Sequence, residues 1–308
     1  MQTTIIGYGT IGSAAGKLLL ARGETIRICQ RSAPARLPDG ASFTPCDVLD
    51  LASLKRAAAG SQRIVLSLAF PYDSRVWRRS WPRAMRNVVA ALDGTGIPVV
   101  FLDNLYQLGA QTGPRREDMP LTNRGRKPAI LSAATRIWRK AADAGRIRMT
   151  ALRCPDFYGP GVAASHLGPS ALGRLAKGQP ALLMIPPDVP HDFAYVPDIA
   201  RAMVTLLDAK DGVDGEVWNM PCAPTMTPRE ILALGAEALG AAPRITAIPF
   251  WALAPMGLFW RFASEVRDVG FTWTKPFQVD ASKFKQRFWS DVTPYDVGAA
   301  ATAQSFKT

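Results

Sequence analysis

The residue types that usually announce chemistry are scarce in this chain of 308 residues. Its four cysteines, Cys29, Cys46, Cys154 and Cys222, include no C-x-x-C pair, which argues against a disulfide framework or a thiolate zinc site. They are expected as small core residues. The two histidines, His166 and His191, have no second ligand at metal spacing, so no metal is expected. No apolar stretch approaches the roughly 20 residues a membrane span needs. The apolar segment from Pro249 to Phe262 is interrupted by Pro255, Gly257 and Arg261 and reads as helix or loop packed on protein. A basic, apolar and small-residue leader is missing as well, so the chain is expected in the cytoplasm. Neither internal repeats nor low-complexity tracts occur.

Acidic residues are also in short supply. There are 25 Asp and Glu against 37 Lys and Arg, a formal net charge of +12. Nucleic-acid modules interleave basic with aromatic residues on one face or carry a recognisable fold signature, and neither is present, so no nucleic-acid partner is expected. A solvated basic surface accounts for the excess. So does a positive field that attracts a phosphorylated cofactor or an acidic substrate. With 48% hydrophobic and 20% charged residues, the composition is that of a globular protein.

What is present is alternation. Strand-like runs at Thr3 to Ile6, Thr25 to Cys29, Ile64 to Leu68, Pro98 to Leu102 and Arg148 to Leu152 are separated by helical patterns at Ser13 to Ala21, Leu51 to Ala59, Ser74 to Leu92 and Pro128 to Ala144. Strands divided by helices of this length build parallel β-α-β units. The fold class is therefore α/β, a Rossmann-type doubly wound parallel sheet with a smaller C-terminal substrate lobe. In the helix near residue 80, Trp77, Trp81, Met85, Val88 and Leu92 recur at steps of three and four and form one buried stripe. Arginines fill its other faces, and symmetry mates packed there would set like charges opposite one another, which leaves the oligomeric state open. After Leu152 the pattern turns to Pro and Gly-rich loops. Order returns with an amphipathic helix from Asp198, a strand at Glu216 to Asn219, and a capping box at Thr227-Pro228-Arg229-Glu230. The Rossmann domain is expected over 1–155, completed by about 192–220, with 156–191 and 221–308 forming the smaller lobe.

Between the first strand and first helix stands Gly7-Tyr8-Gly9-Thr10-Ile11-Gly12, a G-x-G-x-x-G motif. Its first glycine permits the tight turn, its second lets backbone approach a pyrophosphate, and its third lets helix pack on strand. The helix N-terminus adds amide donors at Thr10, Ile11 and Gly12 and a partial positive charge. A dinucleotide site that prefers NAD places an acid at the end of the second strand, about 20 residues beyond the glycines. Here the chain reads Ile28-Cys29-Gln30-Arg31-Ser32. Arg31 and the Ser32 hydroxyl suit a 2′-phosphate, so NADP(H) is the expected cofactor. A solvated arginine is the alternative reading of Arg31.

Taken with the segments that follow in order, the chain resembles the extended and atypical short-chain dehydrogenase/reductase families of NAD-dependent epimerases, dehydratases and related reductases. The resemblance rests on the glycine loop, Asp47-Val48, Ser67-Leu68-Ala69, Cys154 to Gly161, His191 to Ala200, and Val217-Trp218-Asn219-Met220. It implies that Asp47 and Val48 flank an adenine and that Leu68 and Ala69 border ribose and pyrophosphate. It also implies that Pro155, Asp156 and Phe157 pass near a nicotinamide. The family's catalytic Tyr-x-x-x-Lys, in which lysine lowers the tyrosine's pKa, is absent from Leu121 to Ile130. Asn104 falls close to the usual serine position, and Leu102-Asp103-Asn104-Leu105-Tyr106 resembles a variant segment of atypical members. Tyr106, which follows the carboxyl end of the Pro98 to Leu102 strand, becomes the candidate acid, with Lys127, or Arg124 or Arg126, as the nearby positive charge. Packing beside the cofactor is the other reading of Tyr106.

These features lead to an NADPH-dependent oxidoreductase acting on a carbonyl, hydroxyl or activated alkene of a small molecule. Two alternatives stand beside it: a cofactor-using epimerase or dehydratase of a nucleotide-sugar-like substrate, and a non-catalytic NADP(H)-binding sensor or partner protein. Phe157, Tyr158, Phe193, Trp251 and Trp260 hint at an apolar or ring-bearing ligand, though core packing explains them equally.

Overall fold

The computed structural model describes residues 1–307. Its first half alternates β1 (Gln2–Ile6), α1 (Thr10–Ala21), β2 (Thr25–Gln30), β3 (Ala41–Pro45), α2 (Leu51–Ala58), β4 (Arg63–Leu66), α3 (Ser74–Leu92), β5 (Pro98–Asn104), α4 (Arg126–Asp143) and β6 (Arg148–Cys154). Then follow β7 (Asp156–Tyr158), α5 (Gly173–Ala176), β8 (Ala181–Leu183), β9 (Phe193–Tyr195), α6 (Val196–Asp208) and β10 (Val217–Asn219). The chain closes with α7 (Pro228–Ala238), β11 (Ile245–Ala247), α8 (Leu253–Phe259), α9 (Arg261–Asp268), α10 (Ser282–Arg287) and α11 (Tyr295–Gln304). Two compact units result: 1–107, 121–153 and 199–218 form the first, and 108–120, 154–198 and 219–308 the second.

The first unit is built on a 7-stranded sheet in the order β10-β6-β5-β4-β1-β2-β3, with the pairs β1–β2, β1–β4, β2–β3 and β4–β5 all parallel. This is the doubly wound Rossmann-type sheet, with its order reversing beside β1. Strands covered by helices on both faces read as near-continuous apolar runs, and Ile5, Ile28, Ile64, Val65, Val99 and Val100 are buried accordingly. The aromatic stripe of α3 is buried as its spacing required, at Trp77, Trp81, Met85, Val88 and Leu92. Pro82 lies inside that helix, where a proline costs about 3 kcal/mol. Fully burying each large apolar side chain yields about 1.5–3 kcal/mol, so the stripe outweighs the break. At the amino ends of the central strands β1 and β4, buried Arg63 donates to the Thr3 hydroxyl at 2.8 Å and pairs with Glu24 and Asp208. One guanidinium thereby links β1, β4 and the end of α6.

The second unit has its own core around Leu167, Leu172, Phe193, Ile231, Trp273 and Tyr295, with two short parallel pairs, β7–β9 and β8–β11. The capping box forms at Thr227 with Glu230. Residues 108–120, which the sequence reading kept with the Rossmann half, cluster here instead. The reason is hydrogen bonding: Arg115 N donates to Gln278 O at 2.8 Å, and Asn219 Nδ2 donates to the carbonyls of Arg115 and Asp280, each at 2.9 Å.

A second expectation is corrected. The 249–262 segment is not packed throughout: Leu253 is buried, but Trp251, Leu258 and Phe259 are 75%, 80% and 95% exposed. With Pro255 and Gly257 inside it, α8 is only seven residues long, too short to offer a continuous inward stripe. Three cysteines are buried and Cys222 is half-buried, all of them free thiols. Burial pushes Cys29 up to about 12 and Cys46 up to about 11, so both remain protonated and unreactive.

Candidate active site

The turn after β1 is shaped by backbone crowding. Gly7 has φ +91° and donates its N–H to Cys29 O at 2.9 Å, and a Cβ there would lie 2.0 Å from Ser67 O. A Cβ at Gly12 would lie 2.1 Å from Gly7 O. Neither position accepts a side chain, because the turn and the first helical turn press directly on each other. Gly9 is the opposite case, since a Cβ there meets nothing within 4 Å. Gly9 is also the N-cap of α1, with no side-chain cap and no acidic residue in the first turn. The amides of Thr10, Ile11 and Gly12 thus open a helix whose terminus is electrically positive and sterically clear. This cradle fits the pyrophosphate of a dinucleotide.

The second strand delivers the next contacts. Arg31 and Ser32 are exposed just past its end. Gln30 reaches both ways, accepting from Tyr8 N at 3.2 Å through Oε1 and donating to Ser32 O at 2.8 Å through Nε2. That side chain ties the glycine turn to the Arg31-Ser32 loop, a positioning role missed in the sequence, where the strand end was read only for the absence of an acid. Asp47 accepts from Leu49 N at 2.9 Å, and Val48 O accepts from Asn87 Nδ2 at 2.9 Å, so both stand in a turn pinned to α3. Leu68 is half-buried and Ala69 exposed beyond the carboxyl end of β4.

At the carboxyl end of β5 a buried polar network fixes the backbone. Asp103 accepts from Gln107 Nε2 at 2.6 Å and lies 3.5 Å from Arg153 Nε. Burial raises the Asp103 carboxyl above the usual carboxylate range, and Arg153 opposes that only in part. The Gln107 carbonyl in turn accepts from Thr122 N at 2.8 Å and the Ser132 hydroxyl at 3.1 Å, fastening this loop to α4. Within it, Asn104 Oδ1 accepts from Tyr106 N at 2.9 Å, so Asn104 shapes the turn that carries Tyr106. The Tyr106 ring is half-buried against the main core. Lys127 is the surprise, being fully buried in the first turn of α4. Its ammonium lies 4.0 Å from the centroid of the Tyr72 ring and 5.6 Å from that of Trp77. Tyr72 and Trp77 went unremarked as partners of this lysine in the sequence, because no local spacing links them to residue 127.

The second unit holds the remaining candidates. Pro155 is buried, and Asp156 and Phe157 are half-buried on β7, in register with Phe193 and Ala194. Asp156 Oδ2 lies 3.3 Å from His191 Nε2, an ion-pair distance without hydrogen-bond alignment. The buried imidazole of His191 is stacked on Trp273 at 3.9 Å and on Phe277 at 4.9 Å, with Nδ1 3.1 Å from Thr272 O. Since a backbone carbonyl only accepts, Nδ1 carries a proton there. His166 meets Trp273 edge-on at 4.6 Å, and burial holds its ring below the usual histidine value.

A glycine cradle at the head of a parallel, order-reversing sheet defines a nucleotide-binding Rossmann protein. Within that class the assignment is direct: the profile of the NAD dependent epimerase/dehydratase family matches residues 4–220, and the chain belongs to that family. The fold is similar to that of the enzyme WbmH of Bordetella bronchiseptica, crystallised with NAD+, at 20% identity and TM-score 0.77 over 99% of this chain and 98% of that one. It is similar also to the UDP-glucuronic acid 4-epimerase of Bacillus cereus in complex with NAD, at 16% identity and TM-score 0.77 over 100% and 99%. The UDP-glucose 4-epimerase of Thermus thermophilus, likewise in complex with NAD, gives 20% and 0.75 over 100% and 99%. No curated protein sequence matches the chain significantly. Among the described residues, no helix is long and apolar enough to cross a membrane.

Proposed function

We propose that this protein is an enzyme that binds a nicotinamide dinucleotide on its first unit and epimerises or dehydrates a small nucleotide-sugar-like substrate. The observation that carries the reading is the cradle: Gly7 and Gly12 leave no room for a side chain, while Gly9 and the uncapped start of α1 leave room for a pyrophosphate. Family membership and the NAD-bound epimerases of like fold support the same chemistry. When bound, the nicotinamide supplies reversible hydride acceptance. The chain's own part is to hold the adenosine half, through Arg31, Ser32, Asp47 and Val48, and to border the ribose through Leu68 and Ala69. A proton must also be exchanged with a substrate oxygen, and Tyr106, Asn104 and Lys127 are the sequence's candidates for that step.

One observation favours a second reading, an NADPH-dependent oxidoreductase. An exposed arginine and a serine stand where an NAD site carries an acid, and a charge-assisted bond to a 2′-phosphate contributes roughly 1.5–3 kcal/mol. Titrating the protein with NADH and NADPH, followed by nicotinamide fluorescence, measures that preference. Arg31→Ala is expected to lower NADPH affinity about tenfold to a hundredfold and to leave NADH affinity unchanged. Net redox change then separates the two readings: with UDP-sugar probes an epimerase or dehydratase leaves the dinucleotide pool constant, whereas a reductase consumes NADPH mole for mole. Tight binding with no turnover on UDP-sugars or a panel of carbonyl compounds identifies a sensor. Failure to bind any pyridine dinucleotide overturns the proposal.

A further inference from the structure

The 249–262 segment takes no part in the cradle, and folding leaves it bare. Five of the nine exposed large apolar side chains among the described residues fall within it: Trp251, Leu258, Phe259, Trp260 and Phe262. Single exposures of this kind are ordinary, but a contiguous cluster marks a surface that something covers.

The cluster rests on a defined support. α8 and α9 form a helical hairpin whose backbones meet at Gly257, where a Cβ would lie 3.3 Å from the Ser264 backbone. Trp260 N donates to Met256 O at 2.7 Å and Ala263 N donates to Trp260 O at 3.0 Å, which fixes the corner between the two helices. Leu253, Ala263 and Val266 anchor the hairpin on its buried side. The Phe250 ring holds its base against Gly270, where a Cβ would lie 2.3 Å from the ring. The corner itself carries Leu258-Phe259-Trp260-Arg261-Phe262, five exposed residues in succession, with the Trp260 and Phe262 rings 5.4 Å apart.

Charge identifies the occupant. Between Ala238 and Arg267 the only acidic residue is Glu265, which is buried and pairs with Arg261 at 3.2 Å. Arg244, Arg261 and Arg267 are exposed in the same stretch, on a chain whose net charge is +12. Trp, Phe and Leu settle at the boundary between lipid headgroups and acyl chains, and cations beside them are drawn to anionic headgroups. A second copy of the chain fits less well. A two-fold contact sets a patch against itself and would bring together the arginines of two strongly positive chains.

We infer that the α8–α9 corner is a docking surface for an anionic lipid bilayer. Leu258, Phe259, Trp260 and Phe262 enter the interface, and Arg244, Arg261 and Arg267 supply the attraction to its headgroups. The protein lies on the membrane through this corner and does not cross it. The surface is separate from the dinucleotide cradle and does not depend on the reaction proposed above.

The test uses the full chain and sedimentation with vesicles of equimolar phosphatidylcholine and phosphatidylglycerol. The wild type is expected to sediment with them, and to partition at least about tenfold more weakly onto pure phosphatidylcholine, since each arginine contributes about fivefold. Leu258→Ser/Phe259→Ser should lower partitioning onto the anionic vesicles at least about tenfold, the least that burying one large apolar side chain yields. Both side chains are exposed, so the melting temperature should not change. Brominated acyl chains in the same vesicles should quench the wild-type tryptophan emission, and Trp251→Phe/Trp260→Phe should remove most of that quenching. In the absence of lipid, wild type and Leu258→Ser/Phe259→Ser should sediment at the same mass. The inference is overturned if the wild type stays in solution, if it partitions equally onto both vesicles, or if the serine variant binds as well as the wild type. Quenching that survives loss of Trp251 and Trp260 overturns it as well. So does a wild-type dimer that the serine variant dissociates, which would assign the corner to a second copy.

Discussion

The two units of this protein order their buried and glycine-lined features by different means. In the first, the cofactor cradle is made of backbone: three glycines, a turn with positive φ and the start of one helix. In the second, side chains do the work, with a buried imidazole stacked on Trp273 and Phe277 and facing the Asp156 carboxylate. A backbone site depends on a few contiguous residues and tolerates drift elsewhere. A side-chain cluster depends on packing from several segments at once, here residues near 156, 191, 272 and 277.

That contrast can be broken by substitution. The largest effect is expected from Trp273→Ala, since truncating a buried tryptophan costs about 3–5 kcal/mol. Its unfolding midpoint in denaturant should fall sharply while NADH affinity, measured under native conditions, stays put. If affinity fell in proportion, the cradle would depend on more than its own backbone. Gly12→Val should do the reverse. Overpacking costs about 1–3 kcal/mol, but its Cβ starts 2.1 Å from Gly7 O, so isothermal titration should detect no dinucleotide binding at all. Retained binding would mean that the cradle is not where the cofactor lies.

The smallest effect sharpens the comparison through pH. Burial, more than the neighbouring His191 charge, holds His166 below its ordinary 6.5, and Asp156 opposes it only in part. The unfolded chain therefore takes up a proton near pH 6.5 that the folded chain resists. Stability should fall as pH drops below about 6.5 and level off once the folded ring also protonates. Denaturation midpoints of the wild type and His166→Asn across that window test the sign: the variant should show a flatter profile, and an identical slope would remove His166 as the cause.

Much of the first unit was readable along the chain because its signals are local. The alternation of apolar runs set the sheet, the steps of three and four from Trp77 to Leu92 set the buried face of α3, and Gly7, Gly9 and Gly12 marked the cradle. The Thr227–Glu230 capping box is equally local. By contrast, nothing near Lys127 in the sequence foretold that it would be buried on the Tyr72 ring. Nothing near Arg115 showed that 108–120 would bond to Gln278 and Asn219 and join the second unit. The 249–262 segment misled for a related reason, since its composition suggested burial while its Pro255 and Gly257 left the helix too short to achieve it.

Periodicity and glycine placement, which act through neighbours in the chain, specified the Rossmann sheet, its opening turn and the family to which it belongs. Folding alone decided which charged and aromatic groups share a low-dielectric space, as with Lys127 over Tyr72 or His191 between its rings. Such encounters depend on distances between segments remote in sequence, and Coulombic and stacking forces take effect only once the backbone has closed those distances.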